Sequence, residues 1–130
     1  MRLVCIFIMT IFYSCKTNEF IKDFSPNKNN YWDIKYYHKY KYTSPAYGYN
    51  VQRNGTCFFY QYQNNNDSIF RKIKKYDDDV IYKNKWSVNN DSIILLMNRK
   101  YKIITYSEVK AIFADFTNND TLILERSTVD

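Results

Sequence analysis

From Tyr31 onward the chain alternates between two kinds of position. Trp32, Ile34, Tyr36, His38, Tyr40 and Tyr42 fall on one parity; Asp33, Lys35, Tyr37, Lys39 and Lys41 fall on the other. A period of two places the first set on the buried face of a strand, and Thr43-Ser44-Pro45 breaks the pattern. Further strand-like runs are expected at residues 49–53, 56–63, 68–75, 80–88, 92–97, 101–106, 109–116 and 121–126. Between the first two of these, Asn54-Gly55 predicts a hairpin with a type I′ turn. No segment carries a sustained helical period; Ser107-Glu108-Val109-Lys110 has room for one turn at most.

Three near-identical phrases punctuate the second half: NNDSIF at 65–70, NNDSII at 89–94 and NNDTLI at 118–123. Asn and Asp accept turn conformations and bond their own backbone, and the apolar residues that follow start a strand. Spaced about 24 and 29 residues apart, the phrases leave room for two strands and two turns each. The expected fold class is therefore all-β: an antiparallel up-and-down meander of about eight or nine short strands. Such a sheet hides its edges best by closing, or nearly closing, into a barrel, the alternative below full closure being an open sheet curled on itself.

The first 15 residues follow a different rule. Arg2 precedes an apolar run from Leu3 to Tyr13, broken only by Thr10, and Ser14-Cys15 ends it before Lys16, Thr17, Asn18 and Glu19. A run of about 11 residues is short of the roughly 20 that cross a bilayer as a helix, but has the charge and length of an export signal. Phe12-Tyr13-Ser14-Cys15 resembles the lipobox of bacterial lipoproteins, in which a small residue precedes the cysteine that is lipidated and becomes the new N-terminus. That resemblance implies a cleaved peptide over 1–14, a lipid on Cys15, and the loss of Cys5 with the peptide. Two or more acyl chains anchor stably, each buried CH2 contributing about 0.8 kcal/mol. Lys16 is not the aspartate that resembles an inner-membrane retention signal, which favours the outer membrane of the cell envelope. Residues 15–30, polar and with Pro26, are expected to be a flexible tether, and 31–130 the barrel domain.

Composition changes this picture little. The net charge of +6 belongs to lysines spread along alternating strands. It points to anionic lipid rather than to nucleic acid. Without Cys5 and a lipidated Cys15, Cys57 has no intramolecular partner, so no disulfide framework is expected.

Three stretches are similar to bacterial lipocalin-like lipoproteins, small barrels behind a lipobox. NNYWDIKYY (29–37) sets a Trp at the start of the first strand. VQRNGTCFFYQY (51–62) runs through a hairpin into a strand. The stretch from Lys85 to Arg126 resembles the closing meander, with a Trp strand, a Tyr-x-Ile strand and a last strand rich in Leu that ends on Arg. The resemblance implies a barrel with an apolar cavity, and Trp32, Tyr36, Tyr60 and Trp86 are the candidate lining. The expected partners are a membrane, reached through the lipid on Cys15, and either a small apolar ligand or an envelope protein seated on a filled barrel.

Candidate chemistry is sparse. His38 is the single histidine and shares its parity with Trp32, which suits a packed or rim position better than a general base. Cys57 precedes Phe58-Phe59 and reads as a small buried apolar residue rather than as a nucleophile paired with His38. Asp77-Asp78-Asp79 lacks the alternating carboxylates and central glycine of a calcium loop. No zinc spacing, phosphate-binding loop or nucleophile elbow occurs, so no catalysis, cofactor or metal is expected. Asp67-Ser68-Ile69, Asp91-Ser92-Ile93 and Asp120-Thr121-Leu122 resemble the acceptor motif of a bacterial O-glycosylation system, making Ser68, Ser92 and Thr121 candidate glycan sites.

Overall fold

The computed structural model describes residues 19–65, 68–73, 85–89 and 92–128. The lipobox with Cys5 and Cys15, and the triple aspartate at 77–79, lie outside these residues. Ten strands form one antiparallel up-and-down sheet: β1 (Tyr31–His38), β2 (Tyr40–Lys41), β3 (Tyr47–Val51), β4 (Cys57–Asn65), β5 (Ser68–Ile73), β6 (Trp86–Val88), β7 (Ile93–Leu96), β8 (Arg99–Tyr106), β9 (Lys110–Asp115) and β10 (Thr121–Arg126). Their order is β5-β4-β3-β1-β10-β9-β8-β7-β6, with the two-residue β2 pairing β1 beside this path. The first and last strands are thus neighbours at the centre of the sheet.

The meander is as expected, but closure is not. Adjacent strands run antiparallel all along the path, so among the described residues its two end strands, β5 and β6, point the same way. An up-and-down barrel closes with antiparallel neighbours only when the strand number is even. Among the described residues the sheet is not closed into a barrel; it curls. A single bridge, Thr56 to Lys85, brings its far end round to the turn before β4. There Trp86 donates its backbone N–H to the Gly55 carbonyl at 2.9 Å and its indole N–H to the Gln52 carbonyl at 2.6 Å. The same parity shows that β5 and β10, which follow two of the repeated phrases, point one way, while β7, which follows the third, points the other.

Two local geometries depart from what the residues predict. The Asn54-Gly55 hairpin forms in place, but only Gly55 has positive φ (91°), and its N–H reaches the Gln52 carbonyl at 3.0 Å. This is a three-residue loop with glycine in the left-handed position, not a type I′ turn. The type I′ pattern instead joins β7 to β8, where Met97 and Asn98 both have positive φ (50° and 68°). In β1 the register slips between Ile34 and Tyr36. This β-bulge absorbs Lys35 and inverts the parity after it, so that Tyr37, and no longer Tyr36, continues the buried face.

Residues 19–24, within the expected tether, form a helical turn and are packed structure. Phe20 and Phe24 are buried and stack on each other at 5.1 Å between centroids. Phe24 stacks on Trp32 at 5.1 Å and meets Trp86 and Phe113 edge-on. The turn is fastened at its end: Ser25 Oγ donates to the Val51 carbonyl at 2.9 Å, and the Trp32 indole donates to the Phe24 carbonyl at 2.8 Å. Arg126 lays its guanidinium over the Trp32 ring at 3.9 Å. The core thus runs from this aromatic cap through Val51, Cys57, Ile94, Leu96, Leu122 and Leu124.

Candidate functional site

The curled sheet is not filled. On its inner face an open cavity of about 550 Å³ is lined by Ile34 and Tyr37 of β1, Tyr42, Tyr47, Tyr49, Phe59 of β4, Leu96, Met97, and Arg99 and Tyr101 of β8. That size falls within the roughly 300–1,000 Å³ of small-molecule sites. Its wall is aliphatic and aromatic. Tyr47 stacks on Phe59 at 5.6 Å and meets Tyr42 edge-on at 5.8 Å. Met97 reaches the cavity from the left-handed position of the β7–β8 turn.

One end of the lining is polar and organised by Asp115. Its carboxylate is almost fully buried at the end of β9. Oδ1 accepts the Thr117 N–H at 2.8 Å, and Oδ2 accepts from Arg99 Nη1 at 3.3 Å. Burial alone would raise the carboxyl, but the Thr117 amide, Arg99 and His38 together outweigh it and hold it below the usual carboxylate range. His38 Nε2 lies 3.2 Å from Arg99 Nη1, while its Nδ1 lies 3.2 Å from Asp120 Oδ2. Burial works to lower Arg99, yet Tyr37, Tyr101 and Asp115 outweigh it and raise the guanidinium. Burial also pushes the Tyr101 phenol up.

None of the four residues expected to line a cavity lines this one. Trp32 and Trp86 are buried in the aromatic core beside Phe24. Tyr36 pairs with Ile123 on the outer face because of the bulge. Tyr60 is fully buried but also on the outer face, lying across Gly48 to donate to Asp33 Oδ1 at 2.8 Å. Tyr62 bonds the same oxygen at 2.5 Å and Ser127 Oγ at 2.7 Å. Arg71 donates to Ser127 Oγ at 2.7 Å and lies over the Tyr31 ring at 4.0 Å. Burial, then the Asp33 charge, raises the Tyr60 phenol far above its usual range.

The other candidates separate as well. His38 is a rim residue, with positive φ (57°) at the turn into β2. Cys57 is fully buried in the core beside Val51, burial pushes its thiol up, and His38 and Cys57 do not share a site. Ser68 and Ser92 are exposed at the starts of β5 and β7, and Thr121 is half-buried opposite His38. Among the described residues no group of three or more His, Cys, Asp or Glu is placed to hold a metal, and no helix is long and apolar enough to cross a membrane. Sequence reasoning missed every residue that does line the cavity, Tyr37, Phe59 and Arg99 among them. Arg99 carries one signal in the chain: with Tyr101 it shares the parity of β8 that faces inward. The chain matches none of the known family models and none of the curated proteins.

Proposed function

We propose that this chain is a cell-envelope lipoprotein, held to the membrane through a lipid on Cys15, whose lipocalin-like sheet binds a small apolar ligand. The single observation that carries the binding reading is the 550 Å³ cavity with its wall of Ile34, Phe59, Leu96, Met97 and tyrosines. A sheet curled around a filled core would leave no such space. The address rests on the export-like run and the Ser14-Cys15 stop. Native mass spectrometry of protein taken from its own host tests the binding: a mass above that of the lipidated polypeptide, lost on denaturation, is expected. A mass equal to the lipidated polypeptide alone counts against it. Membrane fractionation of a Cys15→Ala variant tests the address: the variant should leave the membrane fraction, and one that stays there ends the lipobox reading.

A second reading, a protein-interaction module of the envelope, is favoured by β5. This strand ends the described sheet and exposes Ile69 and Phe70, and edge strands offer unpaired backbone to other chains. Crosslinking that repeatedly captures one envelope protein through β5 would favour it.

A further inference from the structure

Among the described residues that line the cavity, Arg99 is the one cation. Arg99 opens β8 directly after the Met97-Asn98 turn, so its side chain and that of Tyr101 fall on the inner face. It is positioned without being used up. Nη1 takes both of its protein partners, Asp115 Oδ2 and His38 Nε2. Nε and Nη2 make no hydrogen bond among the described residues, and the side chain is 52% exposed. Three N–H donors of a planar fork therefore remain. That is the set which meets a carboxylate or phosphate in a bidentate arrangement.

Asp115 offsets part of the guanidinium charge without occupying these donors. It is 6% exposed at its side chain and has one oxygen on Arg99 and the other on the Thr117 amide. Asp120 faces His38 Nδ1. Tyr37 and Tyr101 share the lining with the guanidinium, as do Ile34, Phe59 and Leu96. The lining is mostly aliphatic and aromatic, with guanidinium donors left open in it.

We propose that the ligand is an amphiphile with an anionic head, carboxylate or phosphate, seated on Arg99 with its tail along Ile34, Phe59 and Leu96. This inference rests on the reading of the cavity as a binding site. The test uses calorimetric titration of the full chain in phosphatidylcholine nanodiscs, corrected against empty nanodiscs, with octanoate, octyl phosphate, octanol and octylammonium. One or both anions should bind about tenfold tighter than octanol or octylammonium, and the tighter of the two identifies the head group. Arg99→Met should bring the anions to the level of octanol measured on the same variant, and Arg99→Lys should restore part of the preference. Equal binding of all four ligands, unaltered in Arg99→Met, overturns the anionic head and leaves the apolar site standing. No binding of any of them above empty nanodiscs overturns the site as well.

Discussion

Gly48 and Tyr60 show how one residue commits its neighbours. A Cβ on Gly48 would sit 2.2 Å from the Tyr60 hydroxyl and 2.3 Å from the Trp32 carbonyl oxygen, and the second is backbone that cannot swing aside. Gly48→Ala is expected to destabilise the fold by about 1–3 kcal/mol or more, read as a lower urea midpoint. Tyr60→Phe removes one of two hydroxyls from a buried carboxylate and should cost about 1.5–3 kcal/mol; a midpoint equal to wild type would show that Tyr62 alone satisfies Asp33. Asp115 governs acid stability. Its folded pKa lies below the ordinary 3.8, so its contribution is complete above about pH 4 and is lost as the pH falls through the folded value. Asp115→Asn should therefore be less stable than wild type at pH 7, with a gap that narrows at pH 3. Paired urea titrations at the two pH values check this, and a constant gap would show that the carboxylate charge is not what stabilises.

Among the elements, the helical turn at 19–24 and the bulge in β1 decide the most. The turn supplies two phenylalanines to a core otherwise built from strands, and Phe24 touches Trp32, Trp86 and Phe113 at once. Phe24→Ala should cost about 3–5 kcal/mol and flatten the near-ultraviolet dichroism of the aromatic cluster. A stability change below about 1 kcal/mol would mean that the turn is dispensable. Six residues are too few to show a helical period, so Phe20 and Phe24 look like stray apolar positions in a polar stretch. The bulge at Lys35 is equally silent in sequence: alternation continues in letters after it while the faces have exchanged. In β4 the run Phe58-Phe59-Tyr60-Gln61-Tyr62 is aromatic on both parities, which is why Tyr60 looks as suitable for a cavity as Phe59 does. Only the pairing of Tyr60 with Gly48 and Ile73, on the face of Asp33, separates them.

At the scale of the molecule, the helical turn fixes an orientation. From Cys15 to Glu19 the chain spans at most about 14 Å, so a lipid on Cys15 would hold the end of the sheet bearing Ile21, Lys22, Arg53 and Val109 near the bilayer. Val109 and Phe116 flank the two ends of β9 and are both exposed, about 20 Å apart along the strand. Cys57 is buried and Cys15 would be blocked by its lipid. A dye on Val109→Cys should then be quenched by headgroup-labelled lipid, and one on Phe116→Cys should not. Equal quenching at both positions would contradict the short anchor.

The strands themselves were legible because each needs only local information: alternation, an Asn-Gly or Asn-Asp turn, a proline break. From these the sequence alone determined the all-β meander and the position of nearly every described strand. It also marked Cys57 as a buried residue and His38 as a packed or rim residue. What it could not determine is any property that depends on counting across the whole sheet. The two end strands of the described sheet do not pair, which leaves it open. One bulge sends Tyr37 inward in place of Tyr36, and the curl brings Trp86 back onto Gly55. Arg99, Asp115 and His38 meet only because the ends of β1 and β9 and the start of β8 come to the same place in space, although up to 77 positions separate them in the chain. Local pattern fixes which residues form strands; the cavity and the placing of Arg99 in it arise from how those strands are brought together.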